Sequence, residues 1–511
     1  MLGKIQSIEN NIINVKLNID ITKQPNIIGL HLIFEDSQTK VVAEVISVKS
    51  NELSALLVGE IQNDTNFYAG TGIKPSFSSN IRVITIPELQ KIYGMQETTN
   101  ETVFMGTSNI YKNYKINLDI NKFFSNHFSI IGNSGSGKSY TVAGLLQRLY
   151  KKENPPLGTN IFLFDAYGEY TNAFNDISKI NSNLKYKVFT TNLAEEENSK
   201  DIISIPLWLL NVDDFALLLN VTSANQLPII EKSLKLVPII IGNTPESIKR
   251  KNDIIARAIL DVLLSGDEST KIRDQVTAIL TKFNTNELNL NSKISEPGYI
   301  RTLKQCLFID KTGKIQEMEL VVNYINTFII TDEEPNDEIR HDIYFTLKDL
   351  EEAMEFSLIS EGAYKSNRVY DLANVLLVRL HSLVNSKENI YFSYPKFITR
   401  DQYITELLNN DGIKSQIIDF NISYIDDRLA KNIVKIISKM LFDQSTSLER
   451  RGSVPFHIFV EEAHRYVQED TDTEILGYNI FDKIAKEGRK YGIIIGFIIG
   501  IFIVKGILKR N

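Results

Sequence analysis

The feature that most constrains this chain is an eight-residue run, Gly132-Asn-Ser-Gly-Ser-Gly-Lys-Ser139, between a β-type segment and a helical one. The run matches the pattern G-x-x-x-x-G-K-[ST] at every fixed position. Its glycines let the backbone turn tightly, so that successive N–H groups point inward, and the following helix adds its own unpaired N–H groups and its dipole. Because such a cradle suits phosphate, we expect Lys138 to neutralise β- and γ-phosphate charge and the Ser139 hydroxyl to bind Mg²⁺.

The sequence therefore predicts a site for ATP and Mg²⁺ in this loop. The residues expected to contact the nucleotide are consecutive: Gly132, Asn133, Ser134, Gly135, Ser136, Gly137, Lys138, Ser139 and Tyr140. A flexible Gly/Ser loop without a ligand is the structural alternative. The apolar strand Phe128–Ile131 before the loop and the amphipathic helix predicted from Tyr140 to Lys152 favour the phosphate site.

The pattern of elements changes along the chain. Residues 1–95 contain short β-branched runs separated by polar turns, which predicts a small β-barrel. Residues 96–211 begin an α/β domain, whose strand–helix alternation predicts a parallel sheet with helices on both faces. Apolar residues at helical spacing make residues 212–385 a predicted helical insertion. Residues 386–511 return to the α/β domain with the strand Phe456–Val460.

The composition excludes some classes of protein but does not identify a single class. The chain has 511 residues, a net charge of −7 and 43% hydrophobic residues, which is typical of a soluble protein of several domains. A net acidic chain can still gather basic side chains locally against nucleic acid. The single cysteine, Cys306, excludes a disulfide framework and fits a cytoplasmic protein; we expect it in the core. No export signal is recognisable at the N-terminus.

Two consecutive acids, Glu461 and Glu462, follow the strand Phe456–Val460. Phosphoryl transfer to water needs one carboxylate near Mg²⁺ and another that orients or deprotonates the water. Strand ends at the carboxyl edge of a parallel sheet converge on the ligand crevice. Glu461 is thus the candidate Mg²⁺ ligand and Glu462 the candidate catalytic carboxylate. The alternative is that both are solvated acids at the start of a helix.

Two further residues are candidates for catalysis. Asp165 ends the strand Ile161–Phe164 and could position water or Mg²⁺, although an aspartate that caps a turn is the alternative. Arg489, in Lys486-Glu-Gly-Arg-Lys490, could stabilise charge on the γ-phosphate in the transition state. A basic helix end favoured by the helix dipole explains Arg489 equally well. A zinc site at His464 is disfavoured, because E-E-x-H lacks the H-E-x-x-H spacing.

Taken together, five motifs resemble the HerA-type translocases of the FtsK–HerA group of P-loop ATPases. In family order they are His127-Phe-Ser-Ile-Ile-Gly-Asn-Ser-Gly-Ser-Gly-Lys-Ser139, Asp165-Ala-Tyr-Gly-Glu-Tyr170, Ile205-Pro-Leu-Trp-Leu-Leu210, Val460-Glu-Glu-Ala-His-Arg465 and Ala485-Lys-Glu-Gly-Arg-Lys-Tyr-Gly492. The phosphate loop is generic to P-loop enzymes, whereas the last two motifs are much more specific. The implied fold class is α/β: a RecA-like P-loop ATPase core with a small N-terminal barrel, similar to the HAS barrel, and a helical insertion.

The resemblance also implies an assembly and partners. Members form homohexameric rings that thread duplex DNA through a channel, with ATP at the subunit interfaces, so that Arg489 would act on its own or a neighbour's nucleotide. Members work with nucleases in DNA end processing, and some bacterial relatives pair with effectors in anti-phage defence. The implied location is the cytoplasm, without a membrane partner.

The sequence departs from the family after Gly492. Relatives continue into an apolar strand that ends in a polar Ser-Gln sensor, whereas this chain continues with the apolar run Ile493–Val504 and lacks the sensor. The run has 12 residues, against the roughly 20 that a spanning helix needs. A disrupted reading frame or a natural short variant would explain it. Either explanation predicts that closure of the ring and hydrolysis of ATP are impaired. Either also predicts an exposed strand that is prone to aggregation.

Two functions from different classes remain open at this point. The first is an ATP-driven DNA translocase or helicase subunit. The second is a nucleotide-binding scaffold that assembles and regulates a partner effector with little motor activity. A conjugation or packaging ATPase of the same superfamily is disfavoured by the predicted barrel and by the lack of a spanning helix.

Overall fold

The computed structural model describes residues 2–18, 27–36, 39–70, 72–195, 201–296, 299–331, 339–360, 367–410, 412–467 and 472–500. The chain divides into two units. The first unit comprises Met1–Phe128, Gly137–Leu157 and Asp176–Leu184, and the second comprises Ser129–Ser136, Gly158–Asn175 and Lys185–Asn511. The four-part division drawn from the sequence stays a prediction.

An antiparallel, barrel-like sheet begins the first unit. Its strands are β1 (Gly3–Glu9), β2 (Ile12–Leu17), β3 (His31–Glu35), β4 (Lys40–Lys49), β5 (Glu52–Gln62), β6 (Asn66–Ala69) and β7 (Asn80–Val83). They pair in the order β1-β2-β5-β4-β3-β7, with β6 on β5. The Leu2 N–H donates to the Ile81 carbonyl at 3.0 Å and so links the two ends of this order. From Leu53 to Gly59 every second residue of β5 is buried, as the predicted period of two requires.

The rest of the first unit consists of a hairpin and short helices. Its elements are α1 (Ile86–Tyr93), β8 (Thr102–Thr107), β9 (Lys115–Asp119), α2 (Ile120–Ser125), α3 (Lys138–Tyr150) and α5 (Ile177–Ile180). Arg148 of α3 donates to the Phe104 and Met105 carbonyls of β8 at 3.0 and 2.9 Å. These bonds anchor the C-terminal half of α3 on the hairpin.

A six-stranded sheet is the centre of the second unit. Its strands are β10 (Phe128–Gly132), β11 (Asn160–Asp165), β12 (Tyr186–Thr190), β17 (Ile417–Asn421), β18 (Phe456–Val460) and β19 (Ile493–Gly500). They pair in the order β10-β19-β18-β11-β17-β12, and every pairing from β19 to β12 is parallel. All residues of β11 and β18 are buried, as expected where both faces of a parallel sheet are covered.

The two faces of this sheet differ in chemistry. Phe164, Phe420 and Phe189 lie on one face, where Phe420 stacks on both neighbours at centroid distances of 5.3 Å. This face belongs to the main hydrophobic core, whereas the opposite face carries Asp165 and Asp419 near the carboxyl ends of the strands. Because side chains alternate along a strand, the buried phenylalanines fix which face receives the acids.

The expectation of an exposed strand after Gly492 is wrong for the part that the structure describes. Strand β19 lies between β10 and β18, with Phe456 of β18 opposite Ile493. Ile493 and Ile498 are fully buried. Its apolar residues are therefore interior strand residues rather than an open edge. Residues 501–511, which include the end of the apolar run, lie outside the described residues.

Helices follow the strands of this sheet, and most of them lie between β12 and β17. They are α4 (Tyr170–Phe174), α6 (Val212–Leu218), α7 (Leu227–Ile241), α8 (Pro245–Leu263), α9 (Ser269–Lys282), α10 (Leu303–Cys306), α11 (Met318–Asn326), α12 (Leu347–Ser360), α13 (Asn367–Val384), α14 (Arg400–Leu408), α15 (Asp427–Ser447), α16 (Asp472–Leu476) and α17 (Ile480–Tyr491). Two hairpins interrupt them, β13 (Lys293–Glu296) with β14 (Tyr299–Thr302) and β15 (Asn409–Asn410) with β16 (Ile413–Lys414). Cys306 is buried in the core, as expected. None of the described helices combines the length and apolarity needed to cross a bilayer.

A buried ion pair in the first unit gives a test of stability. Glu88 is 5% exposed and accepts bonds from Arg82 at 2.6 and 2.8 Å and from the Thr85 N–H at 3.0 Å. The hydrogen bonds from Arg82 lower the pKa of Glu88 to about 2. Since this pKa is depressed on folding, the stabilisation is complete above the usual carboxyl range and is lost as the pH falls towards 2.

We expect Glu88→Gln to lower the free energy of unfolding by about 2 kcal/mol at neutral pH, because it removes a charge-assisted pair. The difference from wild type should shrink as the pH is lowered through the carboxyl range. Thermal unfolding followed by circular dichroism from neutral to acidic pH measures this. Glu101→Gln, at an exposed position, is the matched control. Equal losses in the two variants would contradict the assignment.

Candidate nucleotide site

The predicted phosphate loop begins where β10 ends at Gly132. Gly135 and Gly137 have φ angles of 74° and 87°, in the left-handed region. A Cβ atom at either position would meet nothing within 4 Å. The backbone angle, and not crowding, is therefore what requires glycine here. The Ser136 N–H donates to the Asn133 carbonyl at 3.1 Å, which closes a tight turn inside the loop.

The start of α3 suits an anion. The helix has 13 residues, its N-cap is Gly137, and no side chain caps it. Its first N–H groups and the helix dipole can therefore serve a phosphate. Lys138 and Ser139 in the first turn are half-buried, and Tyr140 is 86% exposed. These features fit a bound triphosphate, and the individual roles of these residues stay predictions.

The sheet register brings two of the predicted acids to the same edge. Phe164 of β11 is opposite Val460 of β18, and the Glu461 N–H donates to the Phe164 carbonyl at 3.1 Å. Asp165 and Glu461 therefore follow paired residues at the carboxyl ends of adjacent parallel strands. Asp165 is fully buried and Glu461 is 2% exposed. The expected convergence of strand ends thus holds for this pair.

The contacts of Asp165 are those of a turn cap. Its Oδ1 accepts from the Tyr167 and Gly168 N–H groups at 3.0 and 2.7 Å, and its Oδ2 accepts from the Tyr170 N–H at 3.0 Å. These three bonds hold the loop after β11 in place. An aspartate that caps a turn is expected to accept such bonds. A role of Asp165 in positioning water or Mg²⁺ stays a prediction.

Glu462 adopts an unusual backbone conformation. Its φ and ψ are 46° and 44°, in the left-handed region that non-glycine residues seldom occupy. It precedes a 3₁₀ turn, Ala463–Arg465, and its Oε2 lies 3.2 Å from His464 Nδ1. Strain of this kind costs of order 1 kcal/mol and is concentrated at functional sites. The strained backbone of Glu462 is an observation about the candidate catalytic carboxylate that does not depend on the sequence motif.

Sequence reasoning missed Asp419. This residue lies in β17, is fully buried, and accepts a hydrogen bond from the Tyr186 hydroxyl through Oδ2. Burial raises the pKa of Asp419 well above its usual range, and the charges of Asp165 and Glu461 raise it further. The three acids therefore lie close enough to interact. The run Ile417-Ile-Asp-Phe-Asn421, with an acid inside an apolar strand, was the available signal.

Arg489 lies in the last turn of α17, and its side chain is exposed. The Gly492 N–H, at a left-handed glycine, closes the helix end onto the Arg489 carbonyl at 3.4 Å. Both sequence interpretations, a transition-state cation and a basic helix end, are compatible with this position. Its contact with a nucleotide stays a prediction.

The predicted Mg²⁺ ligands, Ser139 and Glu461, are residue types that can bind a phosphate-bound Mg²⁺ ion. Among the residues that the structure describes, no group of three or more His, Cys, Asp or Glu side chains could hold a metal. Mg²⁺ needs no such group, because it keeps several waters and binds one or two carboxylates together with substrate phosphates. The Ser139 hydroxyl at the start of α3 and the Glu461 carboxylate after β18 are each compatible with that chemistry, and their joint role stays a prediction.

A parallel sheet with a glycine-constrained phosphate loop after one strand and paired acids after another defines a P-loop nucleoside triphosphatase. The family described as "Helicase HerA, central domain" matches residues 103–441, which is most of the chain. The protein therefore belongs to the HerA family of P-loop ATPases. The resemblance drawn from the sequence is confirmed.

Several curated proteins are similar over short segments. The DNA double-strand break repair helicase HerA of Saccharolobus solfataricus is 33% identical over 116 residues, 23% of this chain and 21% of that protein. The helicase of the same name from Pyrococcus furiosus is 32% identical over 84 residues, 16% and 14% of the two chains. The probable helicase MJECL08 of Methanocaldococcus jannaschii is 28% identical over 128 residues, 24% and 22%. The chain thus matches less than a quarter of the length of each.

Solved structures show more remote similarity. VirB4 of Thermoanaerobacter pseudethanolicus aligns with a TM-score of 0.36 and 14% identity over 79% of this chain and 78% of that one. The plasmid coupling protein TrwB in complex with ADP and Mg²⁺ aligns with a TM-score of 0.36 and 12% identity over 82% and 70%.

The backbone angle at Gly137 gives a test of the phosphate loop. We expect Gly137→Ala to weaken ATP binding about 5- to 30-fold, because a Cβ in the left-handed region costs about 1–2 kcal/mol. Titration with a fluorescent ATP analogue measures this. Gly144→Ala, inside α3 and also with open space around it, is the control. It should retain affinity and stabilise the helix by up to about 1 kcal/mol. Equal affinities of the two variants would contradict the role of the angle.

The Asp165 cap gives a separate test. We expect Asp165→Asn to lower the free energy of unfolding by about 1–3 kcal/mol, because an amide NH₂ cannot accept from both sides of the turn. Thermal unfolding measures this, and Asp213→Asn, at a half-buried position in α6, is the control. A variant as stable as wild type that has lost ATP turnover would instead favour a direct role in catalysis.

Proposed function

We propose that this protein is an ATP-driven DNA translocase or helicase subunit. The observation that carries the proposal is the parallel register of β11 and β18, which puts Asp165 and Glu461 at one edge of the sheet. Strand β10, which leads into the phosphate loop, belongs to the same sheet. A phosphate cradle and carboxylates served by one sheet are the parts that ATP hydrolysis needs. Membership of the HerA family supports DNA as the substrate that is moved.

Each residue of the site has a proposed role. Lys138 and the loop amides bind the β- and γ-phosphates, and Ser139 and Glu461 hold Mg²⁺, which neutralises phosphate charge when bound. Glu462 orients the attacking water and accepts its proton. Arg489 stabilises charge on the γ-phosphate of its own or a neighbouring subunit, and Asp165 holds the loop beside them. Catalysis by such parts is mainly positioning and electrostatic stabilisation.

The assembly and its partners belong to the same proposal. We infer a cytoplasmic homohexamer that encloses duplex DNA and works with a nuclease or an anti-phage effector. The family supports the ring and the DNA, and the specific motifs Val460–Arg465 and Ala485–Gly492 support the placement within it. Mass photometry with and without ATP tests the ring.

The decisive experiment compares ATP turnover with and without blunt duplex DNA. We expect turnover that duplex stimulates in wild type, and loss of at least about 100-fold in Glu462→Gln, since general-base catalysis contributes about 10²–10⁴. ATP binding by Glu462→Gln should persist, because the phosphate loop is intact. Glu474→Gln, at an exposed position in α16, is the matched control and should turn over ATP like wild type.

If the protein is a scaffold, we expect the opposite result for ATP turnover. Wild-type protein that binds ATP and a partner, yet shows no turnover with duplex ends present, would establish a nucleotide-dependent scaffold instead of a motor. Turnover in Glu462→Gln equal to wild type would remove that residue from catalysis and leave the family assignment unaffected.

A further inference from the structure

The segment after β11 brings one tyrosine to two buried acids of the candidate site. Tyr170, the first residue of α4, is 1% exposed, and its backbone N–H donates to Asp165 Oδ2 at 3.0 Å. Its phenol oxygen lies 3.5 Å from Glu461 Oε1, although the two residues are 291 positions apart in the chain. Asp165 and Glu461 follow paired residues of β11 and β18, so Tyr170 connects the ends of these adjacent strands. All three residues belong to the second unit.

The hydroxyl of Tyr170 has no role in the packing, because the ring alone satisfies it. The ring is stacked on Phe174, with centroids 6.1 Å apart and an angle of 5° between the planes. A phenylalanine would pack in the same way and would bury no polar atom, whereas a buried tyrosine hydroxyl usually has a hydrogen-bond partner. Glu461 is 2% exposed, and a buried carboxylate is costly unless it is hydrogen-bonded. The phenol and the carboxylate therefore stabilise each other.

The separation of 3.5 Å between the Tyr170 phenol and Glu461 Oε1 is at the long limit for a hydrogen bond. Hydrogen bonds at catalytic sites are often long before the substrate binds and shorten in the complex. A carboxylate that binds a metal is commonly hydrogen-bonded itself, and this outer partner fixes the orientation of the carboxylate. The phenol has the position of such an outer partner for Glu461, the candidate Mg²⁺ ligand.

Tyr186 of β12 attaches α4 to the sheet. Phe174, at the end of α4, packs on the Tyr186 ring at a centroid distance of 5.5 Å. The Tyr186 hydroxyl donates to Asp419 Oδ2. Burial raises the pKa of Tyr186, the Asp419 charge raises it further, and a side-chain hydrogen bond with Thr171, the residue after Tyr170, opposes them. Tyr186 therefore contacts α4 at Thr171 and at Phe174, while Asp419 fixes its hydroxyl.

Asp419 is suited to hold Tyr186 without adding charge to the site. It is fully buried in β17, between β11 and β12. Burial raises the pKa of its carboxyl, and the charges of Asp165 and Glu461 raise it further, so that the neutral acid is favoured. A neutral acid still accepts a hydrogen bond through its carbonyl oxygen. Asp419 can therefore fix the Tyr186 hydroxyl without bringing a further negative charge to the other acids.

We propose that Tyr170 is a positioning residue that orients the Glu461 carboxylate for Mg²⁺. Tyr186 and Asp419 hold α4 in place for this task. The inference rests on the proposed function, in which Glu461 binds Mg²⁺, and adds the residues that fix the direction of its carboxylate. A positioning role affects nucleotide binding only when Mg²⁺ is present. A purely structural role of Tyr170 would affect nucleotide binding with and without the metal.

The test measures the affinity of the whole chain for a fluorescent ATP analogue, once with Mg²⁺ and once with EDTA. The ratio of the two dissociation constants is the gain in affinity that Mg²⁺ contributes. We expect Tyr170→Phe to reduce this gain about 10-fold, the lower end of the effect of removing an outer partner of a metal ligand. The affinity in EDTA should stay unchanged. Tyr403→Phe is the matched control, because the Tyr403 hydroxyl is also buried and donates to the Ser204 carbonyl at 3.0 Å.

Tyr186→Phe is a second variant, which leaves Tyr170 and Glu461 in the chain. It removes the hydrogen bond to Asp419, so we expect the gain from Mg²⁺ to fall in this variant as well. Thermal unfolding followed by circular dichroism shows whether each variant is folded. Tyr186→Phe keeps the inference testable should Tyr170→Phe be unstable, and a gain equal to that of wild type would contradict the role of Tyr186 and Asp419.

The outcomes separate this inference from the proposed function. A gain in Tyr170→Phe equal to that in Tyr403→Phe would overturn the positioning role and leave the translocase in place, and so would an equal loss of affinity with Mg²⁺ and with EDTA. Wild type in which Mg²⁺ contributes no gain would overturn the inference together with the Mg²⁺ role of Glu461. The expected loss of gain, in a protein without ATP turnover in the presence of duplex DNA, would support the inference and contradict the motor.

Discussion

The register of β11 with its two neighbours is the constraint on which the rest of the site depends. Successive side chains of a strand point to opposite faces of the sheet. The register of a strand against its neighbours therefore determines which face each of its side chains occupies. Phe162 and Phe164 lie in the apolar core, and Asp165 then falls on the opposite face at the end of the strand. Any shift by one residue would move an acid into the aromatic layer. The packing of the core therefore determines which face of the sheet carries the acids.

The acids after the strands of the second unit and the start of α3 in the first unit differ in the sign of their electrostatics. Asp165, Asp419 and Glu461 gather three acids near the carboxyl edge of the sheet, where burial makes each charge costly and raises the pKa of Asp419. A helix N-terminus and a lysine provide the opposite sign at the loop that follows β10. A nucleotide with its divalent cation requires both signs, because the phosphates need the donors and the cation needs the acids. Glu462 adds a strained backbone at the point where chemistry is proposed.

The loop and the acids Asp165, Glu461 and Glu462 could be recognised as candidates because their sequence signals are local. The glycines Gly135 and Gly137 were recognised from spacing, and the structure gives both the left-handed angles that explain the requirement. Strands β10, β11 and β18 were recognised as apolar runs. Strand β17 was not, because its aspartate interrupts the apolar pattern, and only its pairing with β11 and β12 shows that Asp419 is interior. The apolar run after Gly492 was expected to be exposed, because a sequence does not show which strands will cover it.

The sequence by itself determined the class of protein and the family, and it predicted the residues that would hold phosphate, since these depend on short motifs and on backbone angles set within a few residues. Only the tertiary structure decided the order β10-β19-β18-β11-β17-β12, in which none of the first three strands of the sheet, β10, β11 and β12, pairs with another of the three. It also decided that Asp165 is engaged by backbone N–H groups, and that the phenol of Tyr170 lies beside Glu461. The physical reason is that pairing order and burial arise from contacts between residues hundreds of positions apart, which local propensity does not encode.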